Sequence, residues 1–261
     1  MTEATPHPLV SAQGLRKSYR IGNRRLEVLC GVDLHVARGE FVALRGASGA
    51  GKSTLLHLLG GLDVPDAGTI TFDRRPLHGL GLSDLARFRN RHVGVIFQAY
   101  HLIPDLTALE NVALPARMAR RPLADSLSRA QALLQRVGLA DRMEHRPSQL
   151  SGGEQQRVAI ARCLINDPEI VLADEPTGNL DSHTGEGVMQ VLLDLRRERQ
   201  MTLVIATHDA RVSALAEREV RLVDGRCADG ARSVPEAAPS LQPGNDAVTS
   251  QRDARATPSA G

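Results

Sequence analysis

Tryptophan is missing from this 261-residue chain, and the other aromatics are sparse, with two tyrosines and four phenylalanines. So few rings leave little for nucleobases to stack on, and a formal charge of +2 supplies no basic footprint, so nucleic acid is not an expected partner. Cysteine is scarce too. Cys30, Cys163 and Cys227 are odd in number, widely spaced and without a CxxC pair, which suggests reduced thiols rather than a disulfide framework or a zinc site. No apolar run approaches the ~20 residues of a membrane-spanning helix, and MTEATPHPLV lacks a signal-peptide core. Work at a membrane would need another chain to do the spanning. Lysine is nearly absent: Lys17 and Lys52 are the only two among 32 Lys and Arg residues.

What is present is an ordinary globular mixture, 42% hydrophobic and 24% charged, able to bury one substantial core or a core with a subdomain. Short apolar runs recur between helical stretches: VALR near Val42, VGVIF at Val93 to Phe97, IVLAD at Ile170 to Asp174, LVIAT at Leu203 to Thr207 and VRLV at Val220 to Val223. That alternation predicts a mostly parallel sheet covered on both faces. Ahead of it, LRKSYRIGNRRLEVLCGVDLHV alternates apolar and polar residues about Gly22-Asn23, which predicts antiparallel hairpin strands and a β-rich lobe. Between Tyr100 and Asn166 the strand signals vanish. Thr107 with Glu110 and Ser151 with Glu154 have capping-box spacing, and Asn166-Asp167-Pro168 stops the second helix, so an inserted helical subdomain is expected over about 100–166. The expected organisation is a short tail over 1–8, one domain over 9–228, and a disordered tail over 229–261, where Pro, Ala, Ser and Gly dominate.

The segment GASGAGKST runs from Gly46 to Thr54 between a strand-like EFVALR and a short apolar STLLHLLGGL, the setting a phosphate-binding loop needs. Gly46, Ala47, Ser48, Gly49, Ala50 and Gly51 would turn backbone N–H groups onto nucleotide phosphates. Lys52 would reach the outer phosphates, and the hydroxyl pair Ser53 and Thr54 ends the motif, with Ser53 placed to hold Mg²⁺. The economy of lysine bears on this: a compact ammonium fits among phosphate oxygens where a broad guanidinium does not. Further on, IVLADEP delivers Asp174 to the sheet edge beside the loop, where a carboxylate can hold Mg²⁺ through its water shell. Glu175, on the other side of the strand, can polarise an attacking water, although acidic residues after strands also simply cap or solvate. The octapeptide LSGGEQQR, Leu150 to Arg157, adds a second anion site. Ser151, Gly152 and Gly153 open a helix whose free N–H groups carry no lysine, suited to the γ-phosphate held by another subunit. A Gly-rich turn before a capped helix would account for Ser151 and Glu154, but not for the double glycine or the run QQRVAIAR.

These motifs, with ADEPTGNLDS and FQAYHLIPDLTALENVALP, resemble those of ATP-binding-cassette (ABC) ATPases over roughly Leu9 to Arg226. Within that family they look like the MacB/LolD/FtsE branch, most closely the YbbA-like ATPases. The resemblance implies an α/β P-loop NTPase fold of ABC type, with a mostly parallel sheet, an antiparallel β lobe and an inserted α-helical subdomain. It implies ATP with Mg²⁺, hydrolysed between two copies of the chain in a head-to-tail homodimer. By the same resemblance Gln98 touches the metal and starts a loop that meets the transport partner, and His208 hydrogen-bonds the γ-phosphate. Asp181 lies in the loop that crosses the dimer interface near both nucleotides, and Tyr19 stacks on adenine. Alone, Gln98 would read as an exposed amide, His208 as a surface residue, and Tyr19 as a packed core tyrosine. The implied partner is an integral membrane permease of FtsX/MacB-like type, with the chain peripheral on the cytoplasmic side of a bacterial inner membrane. The output would be export, extraction of a lipoprotein or other substrate, or mechanical signalling. Ala50 and Ala173 depart from residues common in relatives. The cassettes of DNA repair insert coiled coils or CxxC elements, and those of translation carry two motif sets; neither feature occurs here. An ATP switch that controls a membrane or periplasmic partner without moving a substrate stays open as the alternative.

Overall fold

The computed structural model describes residues 7–228; the C-terminal tail expected over 229–261, and residues 1–6 of the expected N-terminal one, lie outside them. Two sheets form. The first is antiparallel and begins as β1 (Val10–Ile21) and β2 (Arg24–Val36), joined across Gly22-Asn23 with Ile21 opposite Arg24. Gly22 takes φ 59, the left-handed turn that a residue without a Cβ adopts freely. On its other edge β1 pairs with β4 (Ala67–Phe72), followed by the short β5 (Arg75–Pro76), for an order β2-β1-β4-β5. The second sheet has the order β10-β9-β3-β8-β7-β6. Its parallel members are β3 (Phe41–Arg45), β6 (Val93–Ile96), β7 (Ile170–Asp174), β8 (Thr202–Thr207) and β9 (Arg218–Val223). Only β10 (Arg226–Cys227) runs antiparallel.

The unbroken apolar runs of the parallel strands follow from burial on both faces. Successive side chains point to opposite sides. Val42, Leu44, Leu172, Val204 and Ala206 pack toward α1 (Lys52–Leu59) and the antiparallel lobe. Phe41, Ala43, Val171, Ala173, Leu203 and Ile205 pack toward the helical side. That side is built from α3 (Ala108–Met118), α4 (Leu123–Arg136), α5 (Gly152–Leu164) and α6 (Ser182–Arg199), while α2 (Leu82–His92) precedes β6 and α7 (Ala210–Ser213) follows β8.

Both capping boxes form. Glu110 N donates to Thr107 Oγ1 at 3.2 Å and Thr107 N to Glu110 Oε2 at 2.8 Å, and the Ser151 and Glu154 pair repeats the same two distances. Three details differ from the sequence reading. The strand read to Phe97 ends at Ile96, so Gln98 stands in the following turn, where Tyr100 and His101 take φ 47 and 48. Helix α1 stops at Leu59, because Gly61 takes φ 64 and Leu62 N turns back to His57 O at 2.8 Å. The strands β4 and β5 and helix α2 carry no strong signal; α2 buries only Leu85, too little for an apolar stripe.

Candidate functional site

The phosphate-type loop links β3 to α1, and its glycines are held in place by neighbouring strands. A Cβ on Gly46 would collide with the Leu222 carbonyl oxygen of β9. One on Gly51, which takes φ 100, would lie 2.7 Å from Leu29 Cδ2 and 2.9 Å from Val28 O of β2. Gly49 meets nothing within 4 Å, so its φ of 81 is the reason for glycine there. Helix α1 has no acidic residue in its first turn and no side-chain cap, unlike α3 and α5, so its first N–H groups and positive dipole end are left to an anion. Lys52 is 6% exposed, and its ammonium donates to Gly46 O at 2.9 Å and Ala47 O at 3.0 Å. Ser53 is exposed and Thr54 half-buried at the same helix start. Beside the loop lies an open cleft of about 600 Å³, lined by Gly46 to Ala50 and reached by Arg45, His208 and Arg221.

The ends of β7 and β8 supply the second group. Asp174 is the last residue of β7, in register with Ala206 of β8. Glu175 follows in a left-handed backbone, φ 43, which lets its N–H donate to Ala206 O at 2.9 Å. A branched or bulky side chain there costs strain, and such strain concentrates at working sites. The Glu175 carboxylate accepts from His208 Nδ1 at 2.9 Å in the tautomer that carries a proton on that nitrogen. Gln98 reaches the same place: Gln98 Nε2 donates to Asn179 Oδ1 at 3.1 Å, and Asn179 Nδ2 donates back to Gln98 O at 2.9 Å. A Cβ on Gly178 would stand 3.0 Å from Gln98 Nε2 and 3.1 Å from Glu175 Oε2, so Gly178 lets the two side chains converge. Asn179 and Gly178 went unmarked in the sequence, where GNLD drew notice only for its aspartate. Asp181 caps α6, accepting from Thr184 N at 3.0 Å, and these bonds to Thr184 hold its carboxyl below the usual range.

Metal fitness follows from the donors. Ser53, Gln98 and Asp174 offer only oxygen ligands, with a single carboxylate, and no cluster of three His, Cys, Asp or Glu side chains forms among the described residues. Such a set suits a hard cation shared with phosphate oxygens, as Mg²⁺ is, rather than an all-protein cage.

Tyr19 lies on β1 with its ring partly exposed, its hydroxyl donating to Asp63 Oδ2 at 2.9 Å and Lys17 Nζ 5.2 Å from the ring centre. Burial, then the bond to Asp63, raises its phenol above the ordinary value, and Thr54 is also within hydrogen-bonding reach. The ring thus borders the start of α1 and is not a packed core residue.

The LSGGEQQR segment stands apart from the loop of its own chain and does not line the cleft beside it. Ser151 Oγ is occupied with Glu154 N, and that carboxylate, bonded to Ser151 N, sits below the usual range. The glycines do more than leave the helix start open. A Cβ on Gly152 would lie 3.0 Å from Tyr100 Oη and 3.2 Å from Leu180 Cδ2, and one on Gly153 would overlap Thr184 Cγ2. Gly153→Ala is therefore expected to push α5 from α6 at a cost of about 1–3 kcal/mol and to lower ATP hydrolysis about tenfold. Adding Thr184→Ser, which removes the obstructing methyl, should restore most of the rate. Steady-state phosphate release checks both, and a Gly153→Ala rate equal to wild type would show that the close packing does not matter.

Comparison with known proteins agrees with this arrangement. A family model described as "ABC transporter" matches residues 29–178. The chain is 47% identical over 221 residues to the lipoprotein-releasing system ATP-binding protein LolD of Myxococcus xanthus, covering 85% of this chain and 99% of that one. It is 48% identical over 240 residues to the macrolide export ATP-binding/permease protein MacB 1/2 of Paracoccus denitrificans, covering 92% of this chain but 35% of that protein. Among solved structures, an ATP-binding cassette captured as a dimer in a post-hydrolysis state with ADP and Pi superposes with a TM-score of 0.78 at 42% identity, covering 84% of this chain and 96% of that one.

Proposed function

The chain belongs to the ABC transporter family, as an ATP-hydrolysing cassette of the LolD/MacB type, and from that premise we propose that it powers a lipoprotein-releasing or exporting complex through a separate membrane permease. The observation that carries the catalytic part is the 2.9 Å pairing of Glu175 with His208, beside a glycine loop whose Lys52 is buried and next to Gln98. In this reading the N–H groups of Gly46 to Thr54 and the Lys52 ammonium hold the ATP phosphates, and Tyr19 stacks on the adenine. Ser53, Gln98 and Asp174 would hold Mg²⁺, which would supply charge neutralisation at the phosphate oxygens. Glu175 polarises the attacking water, and His208 both orients that carboxylate and bonds the γ-phosphate. Ser151, Gly152, Gly153 and Asp181 complete the nucleotide site of a second copy, which accounts for a signature that is remote from its own phosphate loop.

No helix among the described residues is long and apolar enough to cross a membrane. We place the chain on the cytoplasmic face of the inner membrane, under an FtsX/MacB-like permease. The groove of about 310 Å³ that borders the segment after Gln98, with Phe97, His101, Pro115 and Arg162 among its walls, suits a short permease segment. Lipoprotein release is the favoured output, because the chain matches almost the full length of the LolD protein but only about a third of the MacB protein. The test is purification from detergent-solubilised host membranes, then reconstitution with a lipidated protein in proteoliposomes. A multi-span permease should copurify, and ATP should drive release of the lipidated protein. Recovery of a catalytically active chain with no integral membrane protein attached would overturn the proposal.

A further inference from the structure

Gln156 is fully buried in α5, five residues after the signature serine. Its Nε2 donates to the carbonyl of Pro176 at 2.6 Å, while its Oε1 has no hydrogen-bond partner. A methionine or leucine would fill the same space without stranding an oxygen, so packing alone gives no reason for an amide here. The reason lies in what the amide holds. Pro176 directly follows Glu175, and the Glu175 backbone is in a left-handed conformation that its neighbours must impose. On one side the Glu175 N–H is tied to Ala206 O at 2.9 Å, and its carbonyl accepts from Gly178 N at 3.0 Å. On the other side Pro176, which has no N–H of its own, is tied only through its carbonyl to Gln156.

We infer that Gln156 is a positioning residue for hydrolysis, fixing Glu175 through the Pro176 carbonyl. It also links the signature helix to the hydrolytic strand end of the same chain. A small shift of α5 as Ser151 to Gly153 meet a second copy's nucleotide is transmitted to the carboxylate that orients water in the first. The inference rests on the reading of Glu175 given above.

The experiment uses the full chain with Gln156→Met, Gln156→Glu and Glu175→Gln, measured for kcat, KM for ATP, nucleotide affinity and thermal midpoint. Gln156→Met keeps length and volume but loses the donor; kcat should fall about tenfold with KM and nucleotide affinity nearly unchanged. Gln156→Glu can donate to Pro176 O only while protonated, so its rate relative to wild type should exceed that of Gln156→Met at low pH and decline as pH rises. A wild-type kcat for Gln156→Met, a change confined to KM, or a Gln156→Glu rate no better than Gln156→Met at every pH would overturn the inference. If Gln156→Met does not fold, Gln156→Glu decides alone: a ratio falling with pH supports the inference and a pH-independent ratio overturns it. Wild-type hydrolysis by Glu175→Gln would sink the role of Glu175 itself, whereas a slow Glu175→Gln beside an unimpaired Gln156→Met would sink only the positioning role.

Discussion

Glu175→Gln should bind ATP as tightly as the parent chain, hydrolyse it at least about a hundredfold more slowly, and accumulate as an ATP-bound dimer. The substitution is nearly isosteric, and the amide can still pair with His208 Nδ1, so the 2.9 Å contact, the left-handed backbone and the bond to Ala206 O all survive. What disappears is the negative charge and the basicity of the oxygen proposed to polarise the attacking water. A positioned base contributes roughly 10²–10⁴ in rate, which sets the size of the loss. Nothing in the change touches Lys52 or the N–H groups of α1, hence the unaltered affinity. In the proposed cycle hydrolysis separates the two cassettes, so blocking it should move the mass distribution toward twice the chain mass when ATP is added. Mass photometry and a single-turnover assay read the two effects. Single copies at saturating ATP would refute the shared site, and unimpaired turnover would refute the carboxylate's role.

The geometry of the candidate site was largely legible in the sequence because a loop of this type depends on backbone. Loops that bind phosphate need glycine at fixed places, and the collisions at Gly46 and Gly51 show why no other residue stands there. The parallel sheet was equally open to reading, since burial on both faces leaves unbroken runs such as IVLAD and LVIAT. The hairpin announced itself through Gly22-Asn23. Local rules failed where partners come from far along the chain. Helix α2 is mostly polar, with Leu85 buried and Phe88 half-buried against Phe72, and β4 carries only Ile70 and Phe72 inward, so neither shows a clear period. Likewise, in EQQR nothing distinguishes the glutamine that turns inward to Pro176 from its neighbour, which bonds Leu150 O. Asn179 acquires meaning only when Gln98, distant in sequence, folds against it. The glycines of the signature were legible as an open helix start, but their packing against α6 and Tyr100 was not.

Lysine use yields the other large effect. The chain's only two lysines are both buried, and each ammonium bridges two oxygens: Lys17 reaches Asp63 Oδ1 and Val64 O, each at 2.7 Å, and Lys52 reaches Gly46 O and Ala47 O. Every other strongly basic side chain is arginine. A point-like cation fits between converging oxygens, where a planar fork with five fixed donors demands more room than the loop allows. Lys52→Ala removes charge-assisted bonds to phosphate worth about 1.5–3 kcal/mol each, so nucleotide affinity should fall on the order of a hundredfold. Lys52→Arg restores the charge but not the shape, and should remain within about threefold of the alanine variant. The fold should persist in both, because the close approaches of Gly46 to β9 and of Gly51 to β2 remain when the ammonium's bonds to Gly46 O and Ala47 O are lost. Titration with a fluorescent ATP analogue, alongside a thermal melt, separates binding from stability. Wild-type affinity in Lys52→Ala would remove the phosphate assignment of the loop. Recovery in Lys52→Arg would leave that assignment standing but show that charge, not compactness, is what the loop selects.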